Sequence, residues 1–271
     1  MKDIPVPRAL GLDEIPQVIN EYQHAARRAV DAGGDGVEIH GIAYLIHQFL
    51  AISSNQRTDR YGGTLENRAR FAIEVAQAVV EEIGADRTGI RLSPGFGGMG
   101  LNHGGEGPDL YRYLVGELDK LGLAYLHIVH YGGDALLHDL RKLWHQALIL
   151  NRPDRPREDV GKDIASGLAD LESYGQMTLA NPDLIHRLKS DAPLNAADPS
   201  TYFGIAQKAM RTDTPTIPHW LDLSSLANIS SMAAATWQMK TFVHSLVLAC
   251  FADLGTITGH RPGHQSDDRR R

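Results

Sequence analysis

DGVEIHGIAYLIHQFLAISSNQRTDRYGGTLENRARF, residues 35–71, decides how the rest of the chain is read. A short apolar strand, 36–40, ends on His40, and Tyr44 follows four residues later. A polar loop without proline then runs to the turn Tyr61-Gly62-Gly63, and a helix begins at Thr64. An imidazole and a phenol at the end of a buried strand can polarise a carbonyl and deliver a proton. Spacing alone leaves the plainer reading open, a core histidine and a packed tyrosine.

The flanking segments repeat one pattern. A helix is predicted over 13–33, with Asp13 as its N-cap and Ile15, Val18, Ile19, Tyr22, Ala26, Ala29 and Val30 at helical spacing. The helix opened by Thr64 carries Leu65, Ala69, Ala72, Val75, Val79 and Ile83 on one face and stops at Gly84. Next come strand 88–92, a helix from Pro108 to Gly122, strand 124–130, a helix over 134–144, strand 147–150, a shorter helix over 158–167 and strand 169–173. Alternating short apolar strands and amphipathic helices predict an α/β fold with a parallel sheet. Long excursions at 41–63 and 93–107 come after strand C-terminal ends, where a (β/α) barrel carries its chemistry. Five strands do not close an eight-stranded barrel, and an open doubly wound sheet is the alternative.

Composition narrows the function classes. Hydrophobic content of 42% and charged content of 22% suit a globular protein. A net charge of −6 argues against a nucleic-acid partner, which needs basic surface. The single cysteine, Cys250, excludes an internal disulfide and a cysteine-based zinc site. The start, MKDIPVPRAL, has no apolar core of a secretory signal, so a cytoplasmic location is expected. The least polar run, 241–254, is interrupted by His244 and is shorter than the about 20 residues of a membrane span. Residues 219–254 lose the strand–helix alternation and read as one or two helices, and 255–271 as a disordered polar tail. The expected organisation is therefore a barrel-like unit over 1–218 and an extension over 219–271.

Two other patterns carry less. Gly95-Phe96-Gly97-Gly98-Met99-Gly100 fits G-x-G-x-x-G after a strand, but opens no helix to face a pyrophosphate. It reads as a flexible active-site loop. His127 and His130, three apart on a strand, point to opposite faces and make no metal pair, so no metal site is predicted.

The stretch 35–71 closely resembles the old yellow enzyme family of flavin-dependent alkene reductases. The resemblance extends through Ser53 to Gly63, Glu66-Asn67-Arg68, Arg70-Phe71, Gly89 to Pro94, Asn151-Arg152-Pro153, Ser173 to Gln176, Leu179 to Leu184 and Pro193-Leu194-Asn195. Its last trace, Arg211-Thr212-Asp213-Thr214-Pro215, looks like a degraded copy of the family's ending. It implies a partial TIM (β/α) barrel corresponding to strands four to eight, with FMN as cofactor and NAD(P)H as reductant. It also implies enone substrates whose activated C=C bond is reduced. By the resemblance, His40 holds the substrate oxygen and Tyr44 protonates the substrate at carbon. Arg91 lies against the flavin, and Asn151, Arg152, Gly175 and Gln176 stand where the phosphate is bound. Arg152 is expected to supply the cation that the second strand end lacks.

The chain departs from the family's His-x-x-Asn/His-x-Tyr pattern. His40-Gly41-Ile42-Ala43-Tyr44 is one residue shorter and has no second oxygen ligand. If the segment is helical, the deletion turns the residues downstream of it by about 100°. His47 stands where the family more often has an acidic or amide side chain, and compensates only if the loop refolds. With the family's first three strands missing, weak or absent FMN binding is expected, together with self-association through exposed barrel edges. Two readings stand: an ene-reductase impaired by truncation, or a non-catalytic remnant of one.

Overall fold

The computed structural model describes residues 8–199. The strands β1 (Val37–His40), β2 (Thr88–Leu92), β3 (Tyr125–Val129), β4 (Ala147–Asn151) and β5 (Leu171–Glu172) form one sheet in that spatial order. Every neighbouring pair is parallel. The larger helices are α1 (Ile15–Asp31), α3 (Leu65–Ile83), α4 (Gly107–Asp119) and α5 (Ala135–Leu143), with the short α2 (Leu45–Leu50) after β1. Near the end come α6 (Lys162–Ala165), α7 (Gln176–Ala180) and α8 (Leu184–Lys189). A strand order that never reverses is the winding of a (β/α) barrel. A doubly wound sheet would reverse at its switch point, so that alternative falls. Among the described residues the sheet stays open, with β1 and β5 as its edges.

Strand alternation divides the sheet into two faces. Ile39, Ile90, Leu92, Leu126, Ile128, Leu148 and Leu150 are buried in one core with Ala72, Val75, Val79, Leu110, Leu114, Leu118, Leu137, Leu140 and Trp144. Of the residues of opposite parity, Glu38, His40, Arg91, Ile149 and Asn151 are half-buried and His127 is buried. They line the inner face, away from the helical layer. On this face Gly89 gives way to the Tyr125 ring of the paired strand, for a Cβ would sit 2.3 Å from it.

Several boundaries differ from the sequence reading, each for a local reason. Helix α1 begins at Ile15, and Asp13 does not cap it. The Glu14 carboxylate instead accepts from Gly11 N–H at 2.6 Å and from Arg8. The expected polar loop after Tyr44 opens with α2, because Ile46, Phe49 and Leu50 bury at i, i+3 and i+4. The helix expected over 158–167 breaks at Gly161 (φ +84°), leaving a 3-10 turn and α6. Strand β5 is shorter than 169–173, since the amides of Leu168 and Ala169 are taken by the Asp163 carbonyl. The sequence reading did not foresee α7 and α8. The expected extension at 219–271 and the motif at 211–215 lie outside the described residues.

The loop between α2 and α3 is a braced unit. Buried Asn55 donates to the carbonyls of Phe49 and Tyr61, both at 2.7 Å, and its Oδ1 accepts from Arg57 N–H at 3.1 Å. Arg57 grips Asp59 and reaches the Leu10 carbonyl at 2.7 Å. The Tyr61 hydroxyl donates to Glu74 at 2.7 Å, and Asn67 ties Gly62 to the first turn of α3. A Cβ on Gly62 would lie 2.3 Å from the Arg57 carbonyl oxygen, so only glycine fits there.

Asn55→Ala strands two buried carbonyls and is expected to cost about 2–4 kcal/mol in urea unfolding. Arg27→Ala, which removes an exposed helix ion pair, should stay within about 0.5 kcal/mol. Equal effects of the two substitutions would show that Asn55 braces nothing.

Candidate active site

The site begins where β1 ends. His40 and Arg91 are register partners on adjacent strands, and Gly41 N–H continues the ladder to the Arg91 carbonyl at 2.8 Å. The chain then turns sharply. Tyr44 N–H donates to the Ile42 carbonyl at 2.7 Å around Ala43, whose φ is +63°. A three-residue turn with positive φ at its centre is rare and strained for an L side chain. Helix α2 starts only after it, with Tyr44 at the N-cap. The segment is thus not helical, so the rotation of about 100° expected for a helix does not apply, and the backbone turns at Ala43 instead. The His40 and Tyr44 rings end 5.8 Å apart at 45°, with Tyr44 51% exposed.

His47 supports this turn. Its Nδ1 accepts from Ala43 N–H at 3.2 Å, and its buried ring packs 4.6 Å from His103 and 5.5 Å from Phe96. It is therefore committed to holding the γ-turn and packs into a buried polar cluster. His103 in turn meets the Tyr111 hydroxyl at 3.1 Å. Burial lowers both imidazoles from 6.5 to about 4, with His47 and Arg68 adding repulsion at His103.

The inner face carries a row that the sequence reading did not assemble. Glu38 Oε2 lies 2.9 Å from His127 Nδ1, and His127 Nε2 lies 2.9 Å from Ser173 Oγ. The row spans from β1 to the residue just past β5. Glu38 shares its parity with His40, and His127 with its register partner Arg91. That shared parity, polar side chains at alternate positions of apolar strands, was the signal available in the sequence. Arg91 sits among them, held below its usual pKa by burial and pushed back up by Glu38 and Tyr131. Its Nε is buried and has no hydrogen-bond partner among the described residues.

At the other sheet edge Asn151 closes β4 and donates to the Ser173 carbonyl at 2.6 Å. Gly175 caps α7, and Gln176 is its first residue. Arg152 is bound to Asp163 at 2.9 Å and Asp134 at 2.8 Å, which hold it charged. Any phosphate would compete with those two carboxylates for it. His130 meets the Gly133 carbonyl at 3.0 Å, and among the described residues no group of three His, Cys, Asp or Glu side chains could hold a metal. Loops after β2 and β3 enclose a cleft of about 460 Å³ lined by Phe96, His103, His130 and Tyr131. No helix among the described residues is long and apolar enough to cross a membrane.

The C-terminal ends of the parallel strands gather an imidazole, a phenol and a guanidinium, at the end of the sheet where a (β/α) barrel carries its chemistry. The family model described as NADH:flavin oxidoreductase / NADH oxidase matches residues 2–195, and the chain belongs to that family. It is 45% identical over 220 residues to 12-oxophytodienoate reductase 1 of Oryza sativa subsp. japonica, covering 77% of this chain and 57% of the relative. Against 12-oxophytodienoate reductase 2 of Arabidopsis thaliana it is 42% identical over 221 residues, covering 78% and 59%. The chain thus spans a little over half the length of these relatives. Morphinone reductase in complex with tetrahydroNAD superposes with a TM-score of 0.71 at 41% identity, covering 80% of this chain and 60% of that one. The old yellow enzyme homologue from Zymomonas mobilis gives 0.72 at 35%, covering 80% and 63%. The open five-stranded sheet is thus part of the barrel of these proteins.

The histidine pair gives a pH prediction. Between pH 6.5 and about 4 the unfolded chain binds protons that folded His47 and His103 refuse. Stability is therefore full above pH 6.5 and falls as pH drops through about 4. In gluconate buffer the urea midpoint should be lower at pH 5 than at pH 7, and His103→Gln should flatten that slope. A midpoint indifferent to pH across this window would contradict the burial of both rings in the folded state.

Proposed function

We propose that this chain carries the proton-delivering part of an FMN-dependent ene-reductase, which reduces activated C=C bonds of enones with NAD(P)H in the cytoplasm. The observation that carries the reading is the side-by-side placement of the His40 and Tyr44 rings at the end of β1, beside Arg91. His40 donates a hydrogen bond to the enone oxygen and draws electron density from the alkene. Tyr44, exposed enough to meet a substrate, gives its hydroxyl proton to the α carbon. Reduced FMN, when bound, supplies the hydride to the β carbon.

The residues present fit that cofactor unevenly. Arg91 has a buried, unpartnered Nε–H among half-buried inner-face side chains, which suits an anionic acceptor such as the flavin's pyrimidine edge. Asn151 and the amides at Gly175 and Gln176 would stand on the phosphate side, where Arg152 is already tied to two carboxylates. The second reading, a non-catalytic module, is favoured by the open edges of β1 and β5. Those edges, open among the described residues, also favour self-association, since an exposed strand edge templates pairing.

Gel filtration with added FMN tests both points together. A sheet holding only part of the cofactor's shell should release most of its flavin and elute larger than a 29.7 kDa monomer. Stoichiometric flavin at monomer volume would contradict both expectations.

Cyclohexenone reduction with NADPH and added FMN tests the chemistry. Tyr44→Phe should lower residual turnover by about 10²-fold or more. Inserting asparagine between Ile42 and Ala43 restores the second oxygen ligand, relieves Ala43 and should raise turnover. Unchanged turnover in Tyr44→Phe would mean that the proton comes from elsewhere.

A further inference from the structure

Independently of that reading, the row on the inner face has the polarity of a nucleophile backed by its base. The Glu38 carboxylate only accepts, so the hydrogen bond at 2.9 Å is donated by His127 Nδ1–H. His127 then presents a lone pair at Nε2, and the Ser173 hydroxyl, 2.9 Å away, donates to it. The Glu38 and His127 side chains are only 7% and 2% exposed, so little water competes for either bond. Ser173, at the far end of the row, is half-buried. It lies at the turn from β5 into α7, at the C-terminal end of the sheet. Its backbone is held from both sides: Ser173 N–H donates to the Leu150 carbonyl at 2.9 Å, and its carbonyl accepts from Asn151 at 2.6 Å. The next amide, Tyr174 N–H, has no acceptor among the described residues, and Gly175 beyond it is exposed.

A row that only ties strands together can end on any polar group. This one ends on a half-buried hydroxyl, with an oriented base behind it and a spare amide beside it. That is the order in which nucleophile, base and orienting carboxylate act. We propose that Ser173 is an acyl-accepting nucleophile, with His127 as its general base and Glu38 as the positioning residue that fixes the tautomer of His127. His127 Nε2 takes the hydroxyl proton as Ser173 Oγ bonds to the acyl carbon of an ester. The bond from that carbon to the leaving oxygen then breaks, and the proton passes to the departing alcohol. Water repeats the sequence on the acyl-serine and releases the acid. The substrate class follows from the donor count. Tyr174 N–H is a single donor for the developing oxyanion, and lacking a second one costs about 10²–10³ in rate. The substrates are therefore small esters with good leaving groups.

The test is labelling of the full chain with a fluorophosphonate, followed by peptide mass mapping. The folded chain should be phosphonylated at Ser173 and the urea-unfolded chain should not, a result that needs no variant to fold. With p-nitrophenyl acetate, Ser173→Ala should remove turnover, and His127→Gln should lower it by about 10²-fold or more. Glu38→Gln should lower kcat by about 10²-fold or more with KM little changed, a split that partial unfolding would not give. A folded chain that stays unlabelled at Ser173 overturns the proposal. So does ester turnover that survives Ser173→Ala.

Discussion

The Glu38–His127–Ser173 row is the interaction on which the site depends. Two 2.9 Å contacts on one buried ring link β1, β3 and the end of β5 across the inner face. A one-residue slip in any of these strands would turn its partner toward the helices and leave a buried polar group unmet. The row therefore fixes the level at which His40, Arg91 and Asn151 emerge. It also keeps a carboxylate beside Arg91, which counters the effect of burial on that guanidinium.

Above that level, the conformation of one short turn controls the site. Gly41 still belongs to the ladder, and α2 cannot move far because Ile46, Phe49 and Leu50 are buried in the core. Between those fixed ends the chain closes the gap with a positive φ at Ala43. His47 answers the strain by accepting the Ala43 amide, so one buried histidine supports the turn. The braced loop behind it, centred on Asn55 and Arg57, ties the end of α2 to the start of α3 and to the Leu10 carbonyl ahead of α1.

Much of this was legible in the sequence. Periodicity placed β2 at its observed bounds and the other strands of the sheet within a few residues, because each short apolar run sits between strong helix stops such as Gly84. The motif from Ser53 to Phe71 marked the brace, and its glycine at 62 is explained by the Arg57 carbonyl. Helix α2 was missed because six residues are too few for a periodic signal amid polar neighbours. The inner row was missed because its members lie 46 and 89 residues apart. His127 pairs in sequence only with its neighbour His130, whereas its structural partners come from other strands.

The sequence by itself determined the class of fold, the family and the identity of the residues at the strand ends, because these rest on local pattern and motif. Tertiary structure alone decided how those residues are used. It committed Arg152 to Asp134 and Asp163, and buried His47 against His103. It placed the residues between His40 and Tyr44 in a strained turn rather than a helix. The physical reason is that charge pairing, burial and backbone strain are set by what the rest of the chain brings within a few ångströms, and spacing along the chain does not encode that distance.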